Sequence, residues 1–72
     1  MNKTKFVITI TMLGWKLMNA CRYTYRHPKY LNVKVYSQYE IHTSAIHDKK
    51  LLVFSNYQTQ LNEILKMMNN DE

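Results

Sequence analysis

The chain contains almost none of the residues that punctuate or cross-link a fold. Its 72 residues include one glycine, one proline and one cysteine. The lone Cys21 excludes an intrachain disulfide and is typical of a reducing compartment such as the cytosol. A chain this short buries only about 60% of its unfolded surface, so target binding or a homodimer would add stability that one small core lacks. We expect one cytoplasmic domain over residues 1–72.

Acidic residues are missing from the first half of the chain. Glu40 is the first of five acidic residues, and seven lysines and arginines precede it. The first 39 residues therefore carry +7 and the last 33 carry −2, which gives the net charge of +5. This asymmetry indicates one basic surface that meets a negatively charged partner.

Long hydrophobic runs are also missing. The longest uncharged apolar stretch, residues 6–15, is much shorter than the roughly 20 residues that a bilayer requires. Lys3 and Lys5 before it imitate the start of a secretion signal, but the alternation inside the stretch fits a strand better. We therefore expect neither a membrane span nor export. Apolar residues still make up 46% of the chain and aromatics 12%, which is enough for a folded core.

Alternating hydrophobicity predicts strands in three places. In residues 5–12 every even-numbered position is apolar and β-branched residues dominate, which is typical of a strand with one buried face. Residues 31–42 show the longest alternation and predict a long, half-exposed antiparallel strand. A polar connection, with its turn at residues 48–50, then leads to a short strand at residues 51–54.

Residues 13–26 fit two structures. The pair Leu13-Gly14 suggests a turn or bulge. Read as a strand, the residues that follow alternate until Arg26. Read as a helix, they place Leu17 and Cys21 on one apolar stripe with Leu13. We favour the strand because its alternation lasts longer, and a residue before proline, here His27, ends either element.

The C-terminal region predicts an amphipathic helix on the sheet. Ser55 can cap its start, with Gln58 three residues later as a capping box requires. Apolar side chains then follow helical spacing: Tyr57, Leu61, Ile64, Leu65 and Met68. Residues 69–72 are expected to fray. The predicted fold is therefore α+β, with a small antiparallel sheet of three to four strands and this helix packed on one face.

The other sheet face would be basic and would contain an aromatic ring. Cations neutralise phosphates and rings stack bases, so this face could bind single-stranded nucleic acid. The same charges fit an acidic protein surface, and they also suit an ordinary solvated face. The residues that we assign to partner binding are Lys16, Arg22, Arg26, Lys29, Tyr30, Lys34 and Tyr36.

Catalytic and metal-binding patterns are weak. His42 and His47 are spaced like half a zinc site, but no paired cysteine or histidine motif accompanies them. Glu40 and His42 would share a strand face, yet no nucleophile or phosphate-binding loop joins them. A domain this small is also expected to have little room for a pocket. We therefore expect no enzyme, no metal site and no cofactor.

A non-catalytic binding protein is the function class that remains. The abundance of Asn, Lys, Tyr and Ile indicates a low-GC genome, which together with the small size is typical of a phage or mobile-element accessory protein. We expect an inhibitor or regulator in the bacterial cytoplasm. It would dock on a host protein with an acidic or nucleic-acid-binding surface and occlude it, through the basic face or by adding a strand. The alternative is a small nucleic-acid-binding protein that uses the same face.

Overall fold

Two helices cover one face of a five-stranded antiparallel sheet in the computed structural model, which describes residues 1–70. In chain order the elements are α1 (Lys3–Met12), β1 (Lys16–Met18), β2 (Cys21–His27), β3 (Tyr30–Tyr36), β4 (Thr43–His47), β5 (Lys50–Phe54) and α2 (Tyr57–Asn70). The strands lie side by side in the order of the sequence. The α+β class, the antiparallel sheet and the C-terminal helix are confirmed, although the sheet has more strands than predicted.

The strand predicted at residues 5–12 is wrong, because these residues form α1. Phe6 and Ile10 are buried, whereas Ile8 and Met12 on the same predicted strand face are 57% and 82% exposed. Burial therefore recurs every fourth residue, as on a helix, and not every second residue as on a strand. Leu13 continues the buried side and packs against the core.

Local hydrogen bonds explain how a segment rich in β-branched residues becomes helical. The Asn2 side chain caps α1 by accepting a hydrogen bond from the backbone N–H of Lys5 at 2.8 Å. The hydroxyls of Thr9 and Thr11 each donate to the carbonyl four residues earlier, both at 2.7 Å. These two bonds satisfy the Thr9 and Thr11 hydroxyls within the helix, while the Asn2 cap stabilises its start.

Residues 13–27 contain two strands joined by a tight hairpin. Gly14 has a φ of +102° and forms the predicted turn between α1 and β1. The strand interpretation of residues 15–26 is confirmed over the helical one, but a turn at residues 19–20 divides the strand into β1 and β2. β2 ends at His27, immediately before Pro28, as predicted.

The predicted strand at residues 31–42 is too long, because β3 ends at Tyr36. The next residue, Ser37, is buried and its N–H still donates to the Tyr23 carbonyl of β2 at 2.8 Å, so the chain leaves the sheet only after this residue. The predicted turn and the short strand after it are confirmed. Asp48 and Lys49 have φ values of 51° and 69°, as a two-residue hairpin between β4 and β5 requires.

The C-terminal helix begins at a different cap from the predicted one. Asn56, and not Ser55, accepts the hydrogen bond of the capping position, from the Thr59 N–H at 2.9 Å. α2 continues to Asn70, so residues 69 and 70 are helical where fraying was predicted, and residues 71 and 72 lie outside the described part. Neither helix within residues 1–70 has the length and hydropathy needed to cross a bilayer.

The core lies between the two helices and the sheet face that we call the inner face. Its central row crosses the sheet in register and comprises the buried Tyr25, Val35 and Ala45, with the partly exposed Leu52 at its end. The helices meet above this row, where the ring centroids of Phe6 and Tyr57 are 4.9 Å apart. Each such buried aromatic or aliphatic side chain contributes about 1.5–3 kcal/mol to folding.

Candidate binding surface

The opposite sheet face carries no helix and presents alternate side chains to solvent. Along β3, for example, buried Val33 and Val35 alternate with Lys34 and Tyr36, which are half-buried on the other side. Cross-strand pairing extends this pattern over the sheet. We call this surface the outer face, and its exposed or half-buried members are Lys16, Arg26, Lys34, Tyr36, Ser44, Ile46, Leu51 and Val53.

Basic side chains occupy the half of the outer face that β1 to β3 form. Lys16 and Arg26 are direct cross-strand partners, and Lys34 lies on the next strand. The Arg26 guanidinium donates to the Leu31 carbonyl at 2.7 Å, which holds its position. Within residues 1–70, no acidic side chain forms an ion pair with Lys16, Arg26 or Lys34. This half of the outer face therefore keeps its positive charge available.

Apolar side chains occupy the other half, on β4 and β5. Leu51 is 64% exposed and Val53 is 69% exposed. Leu51 pairs with half-buried Ile46, so the apolar atoms are contiguous across two strands. A contiguous exposed apolar patch is a mark of an interaction site, whereas isolated exposed apolar residues are not.

These apolar residues are absent from the predicted site. The signal for them is the uninterrupted apolar run at residues 51–54. When only one sheet face is covered, alternate residues of such a run must point to solvent. The sequence shows that run, but it does not show which face the helices cover.

The predicted site residues are only partly brought together. Lys16, Arg26, Lys34 and Tyr36 share the outer face. Arg22 lies at the other end of β2, where it lines a shallow cavity with residues of α1. It is therefore remote from the Lys16–Arg26 pair.

Tyr30 lies in the core and not on the binding surface. It is 7% exposed, and its ring stacks on Trp15 with a centroid distance of 6.2 Å and an interplanar angle of 9°. Lys29 is exposed in the β2–β3 turn, with its Nζ atom 5.9 Å from the Tyr30 ring centroid. The aromatic character predicted for the binding face thus rests on Tyr36 alone.

The His27 side chain links the turn after α1 to the turn between β2 and β3, next to Tyr30. The Lys29 N–H donates to His27 Nδ1 at 3.1 Å, so His27 Nε2 carries the proton and donates to the Leu13 carbonyl at 3.0 Å. A Cβ atom on Gly14 would lie 2.7 Å from that Nε2 atom. His27 is therefore a structural link between α1 and the sheet.

The side chains considered above for metal binding or catalysis, His42, His47 and Glu40, do not lie together in one site. His42 lies in the loop after β3, stacked on Tyr39 at 4.5 Å, whereas His47 lies on β4. Glu40 is in the same loop, 3.5 Å from Lys3, and not on a strand with His42 as predicted. No cluster of three metal-ligating side chains occurs within residues 1–70.

Two neighbouring groups on β2 have shifted pKa values. A hydrogen bond with the Thr24 side chain lowers the pKa of the half-exposed Cys21 thiol. The proximity of that thiol raises the pKa of the Tyr23 phenol. Both shifts arise mainly from hydrogen bonds among the side chains of Cys21, Tyr23 and Thr24.

A groove of about 550 Å³ lies on the inner face between α2 and strands β3 to β5, and it is larger than the sequence led us to expect. Its walls are largely apolar and include Val33, Leu52, Phe54 and Met67. Met67 of α2 and Leu52 of β5 both border the groove, and the groove is open to solvent. A groove of this kind can accept an apolar side chain.

No family model, curated protein or solved structure matches this chain.

Proposed function

We propose that this protein is a non-catalytic binding protein that docks through its outer face on an acidic surface of another protein. The observation that supports this most strongly is the position of the exposed Leu51 and Val53 beside the basic half of the same face. Protein interfaces combine an apolar, desolvated centre with a polar rim. Here the apolar patch of Ile46, Leu51 and Val53 would form the centre. Lys16, Arg26 and Lys34 would form a positively charged rim.

The charge of the rim selects the partner. A net charge of +5 accelerates encounter with a negatively charged protein and disfavours basic ones. The matching surface would place carboxylates around an apolar patch. Occlusion of such a surface on a host protein in the bacterial cytoplasm would make this chain an inhibitor or regulator.

Binding of single-stranded nucleic acid is the alternative, and the basic half of the outer face supports it. A row of exposed rings is what such binding usually adds to the charges. Tyr36 is half-buried with its ring centroid 6.4 Å from that of Tyr23, and Tyr30 lies in the core. This arrangement favours the protein partner, because Leu51 and Val53 provide an apolar centre and not a stacking platform.

Affinity capture from host lysate, with and without nuclease, tests the proposal. The variant Lys16→Glu/Lys34→Glu reverses the charge of the outer face. The control Lys5→Glu/Lys66→Glu makes the same change of net charge on exposed positions of the two helices. We expect a nuclease-resistant protein partner that the outer-face variant loses and the control keeps.

Two results would contradict the proposal. Equal retention by both variants would remove the outer face as the contact. Capture that disappears with nuclease, and whose affinity falls log-linearly with salt, would assign the face to nucleic acid.

A further inference from the structure

The outermost strand β5 leaves one backbone edge without a partner in the sheet. Its residues from Lys50 to Val53 are exposed, and it pairs with β4 without a register shift. Native sheets protect such edges with proline, bulges, short length or inward-pointing charge. β5 has none of these within its sequence of Lys, Leu, Leu, Val and Phe, apart from Lys50 at its start.

The hairpin geometry determines which backbone groups face outward. In a two-residue hairpin with positive φ at both turn positions, the flanking residues exchange hydrogen bonds, and here these are His47 and Lys50. Hydrogen-bonded and non-hydrogen-bonded pairs alternate along an antiparallel ladder. Lys50, Leu52 and Phe54 therefore direct their N–H and C=O groups to β4. Leu51 and Val53 direct theirs to the open edge.

We propose that this edge binds the same edge of a second copy of the chain, with the two β5 strands antiparallel and Leu52 at the twofold axis. In that register Leu51 of each copy lies opposite Val53 of the other. Because both residues direct their backbone groups outward, every one of these groups gains a partner. The two sheets then become one continuous sheet, in which the inner faces lie on one side and the outer faces on the other. The dimer is proposed independently of the function proposed above.

The side chains at this interface are self-complementary. Leu51 and Val53 meet on the outer face as an aliphatic cross-strand pair, which contributes about 0.2–1 kcal/mol relative to alanine. Leu52 meets its own copy on the inner face, at the open side of the groove. The residue at each strand end, Lys50, lies opposite Phe54, where its ammonium can approach the ring.

Charge complementarity favours a second copy as the occupant of the edge. The same register places Asp48 opposite Asn56 and Lys49 opposite Ser55, so no two like charges are opposed. The apolar strips of the two outer faces join at the centre, and the basic halves lie at the ends. A strand of another protein would need apolar side chains on both faces and no positive charge opposite Lys50. β5 of a second copy meets both requirements, because its Phe54 lies opposite Lys50.

Sedimentation equilibrium of the full chain over a wide range of concentration tests the proposal. We expect a reversible equilibrium between the 8.7 kDa monomer and a species of twice that mass. The variant Leu51→Lys/Val53→Lys opposes like charges in both pairs and should weaken the dimer by about tenfold or more. The control Ile8→Lys/Met12→Lys makes the same change at exposed apolar positions of α1 and should leave the dimer unchanged.

A charge-swap variant tests the register itself. Leu51→Lys/Val53→Glu places Lys opposite Glu in both pairs and should dimerise more tightly than the double-lysine variant. A wild-type chain that remains monomeric at every concentration would overturn the proposal, as would a dimer that the double-lysine variant leaves intact. Protection of the edge amides only in the presence of another protein would assign the edge to a foreign strand instead.

Discussion

The two edges of the same sheet are built in opposite ways. β1 has three residues, a register shift between Leu17 and Met18, and an exposed lysine at its start. β5 has five residues, regular pairing and three consecutive exposed apolar side chains. Short length, irregular pairing and charge are the features by which sheets avoid unwanted strand addition. Both edges begin with an exposed lysine, but only β1 is also short and irregularly paired, which leaves β5 as the edge better suited to the dimer proposed above.

The two sides of the molecule are also held to the core differently. At the β1 side, the fully buried Trp15 packs edge-on against His27 and parallel to Tyr30. At the β4–β5 side, the fully buried Gln60 of α2 donates to the Ser44 carbonyl at 3.0 Å and its Oε1 lies against the Thr43 hydroxyl. Aromatic packing secures one side and a buried polar network secures the other, so substitutions should affect the two sides to different degrees.

The largest effect is expected at the aromatic side. Trp15→Ala removes the largest fully buried side chain and should reduce the free energy of unfolding by about 3–5 kcal/mol. Because a domain of this size rarely has more than about 3–5 kcal/mol in total, the variant should be largely unfolded. Urea denaturation followed by far-UV circular dichroism measures this. The neighbouring Leu17→Ala, at a half-exposed edge position, should cost under about 1 kcal/mol.

The buried polar network should give the next largest effect. Gln60→Ala leaves the Ser44 carbonyl without its side-chain partner inside the protein and should cost about 1–3 kcal/mol in urea denaturation. Gln58→Ala, two residues earlier and exposed, should change stability by less than about 0.5 kcal/mol. Equal costs for the two glutamines would mean that the network does not hold α2 to β4.

Alkaline pH should reveal the contact between α2 and the loop at residues 37–42. Burial raises the pKa of Tyr57, whose hydroxyl donates to the Tyr39 carbonyl. The unfolded chain therefore releases this proton first, so the stabilising effect is complete below pH 10.0, the ordinary pKa, and is lost as the pH rises above it. Tyr57→Phe should cost about 1 kcal/mol at neutral pH and flatten the decline of stability above pH 10.0. An unchanged slope would contradict this assignment.

The smallest effect is expected at the exposed ion pair on the α1 side. Glu40→Gln removes the partner of Lys3, but Glu40 is strongly exposed and the pair is open to solvent. Such pairs contribute about 0–1 kcal/mol and less in salt. A change in urea midpoint beyond that range would show that the loop at residues 37–42 is held more firmly than its contacts indicate.

Local signals predicted the β5 and α2 region well, but they missed β4, which lies where a polar connection was predicted. The turn at residues 48–50, the strand after it and the helix that follows are all confirmed. Each depends on residues close in sequence, namely the turn-forming Asp48-Lys49 pair and the helical spacing of Tyr57, Leu61 and Ile64. The helix cap moved by one residue, to Asn56, because side-chain geometry decides which of two adjacent polar residues accepts the bond, and the helix extends to Asn70 where fraying was predicted.

The β1 side was harder to predict, because the apolar residues that precede β1 fit both the two-residue period of a strand and the spacing of a helix. Residues 5–12 alternate, but Phe6, Ile10 and Leu13 also have helical spacing, and the cap at Asn2 lies outside the alternating run. Packing of α1 against α2 decided in favour of the helix, and packing of this kind overrides intrinsic propensity.

The candidate site shows the same limit. The charges of Lys16, Arg26 and Lys34 could be assigned from the sequence because lysine and arginine are rarely buried. The burial of Tyr30 and the exposure of Leu51 could not, since both depend on which sheet face the helices cover.

Concentration-dependent hydrogen exchange at β5, observed by NMR, tests the contrast between the two edges most directly. We predict that the amides of Leu51 and Val53 become protected as the protein concentration rises, whereas the Leu52 amide, which bonds to β4, is protected throughout. The amides of β1 should show no dependence on concentration. Leu51 and Val53 amides that exchange freely at every concentration would contradict the account.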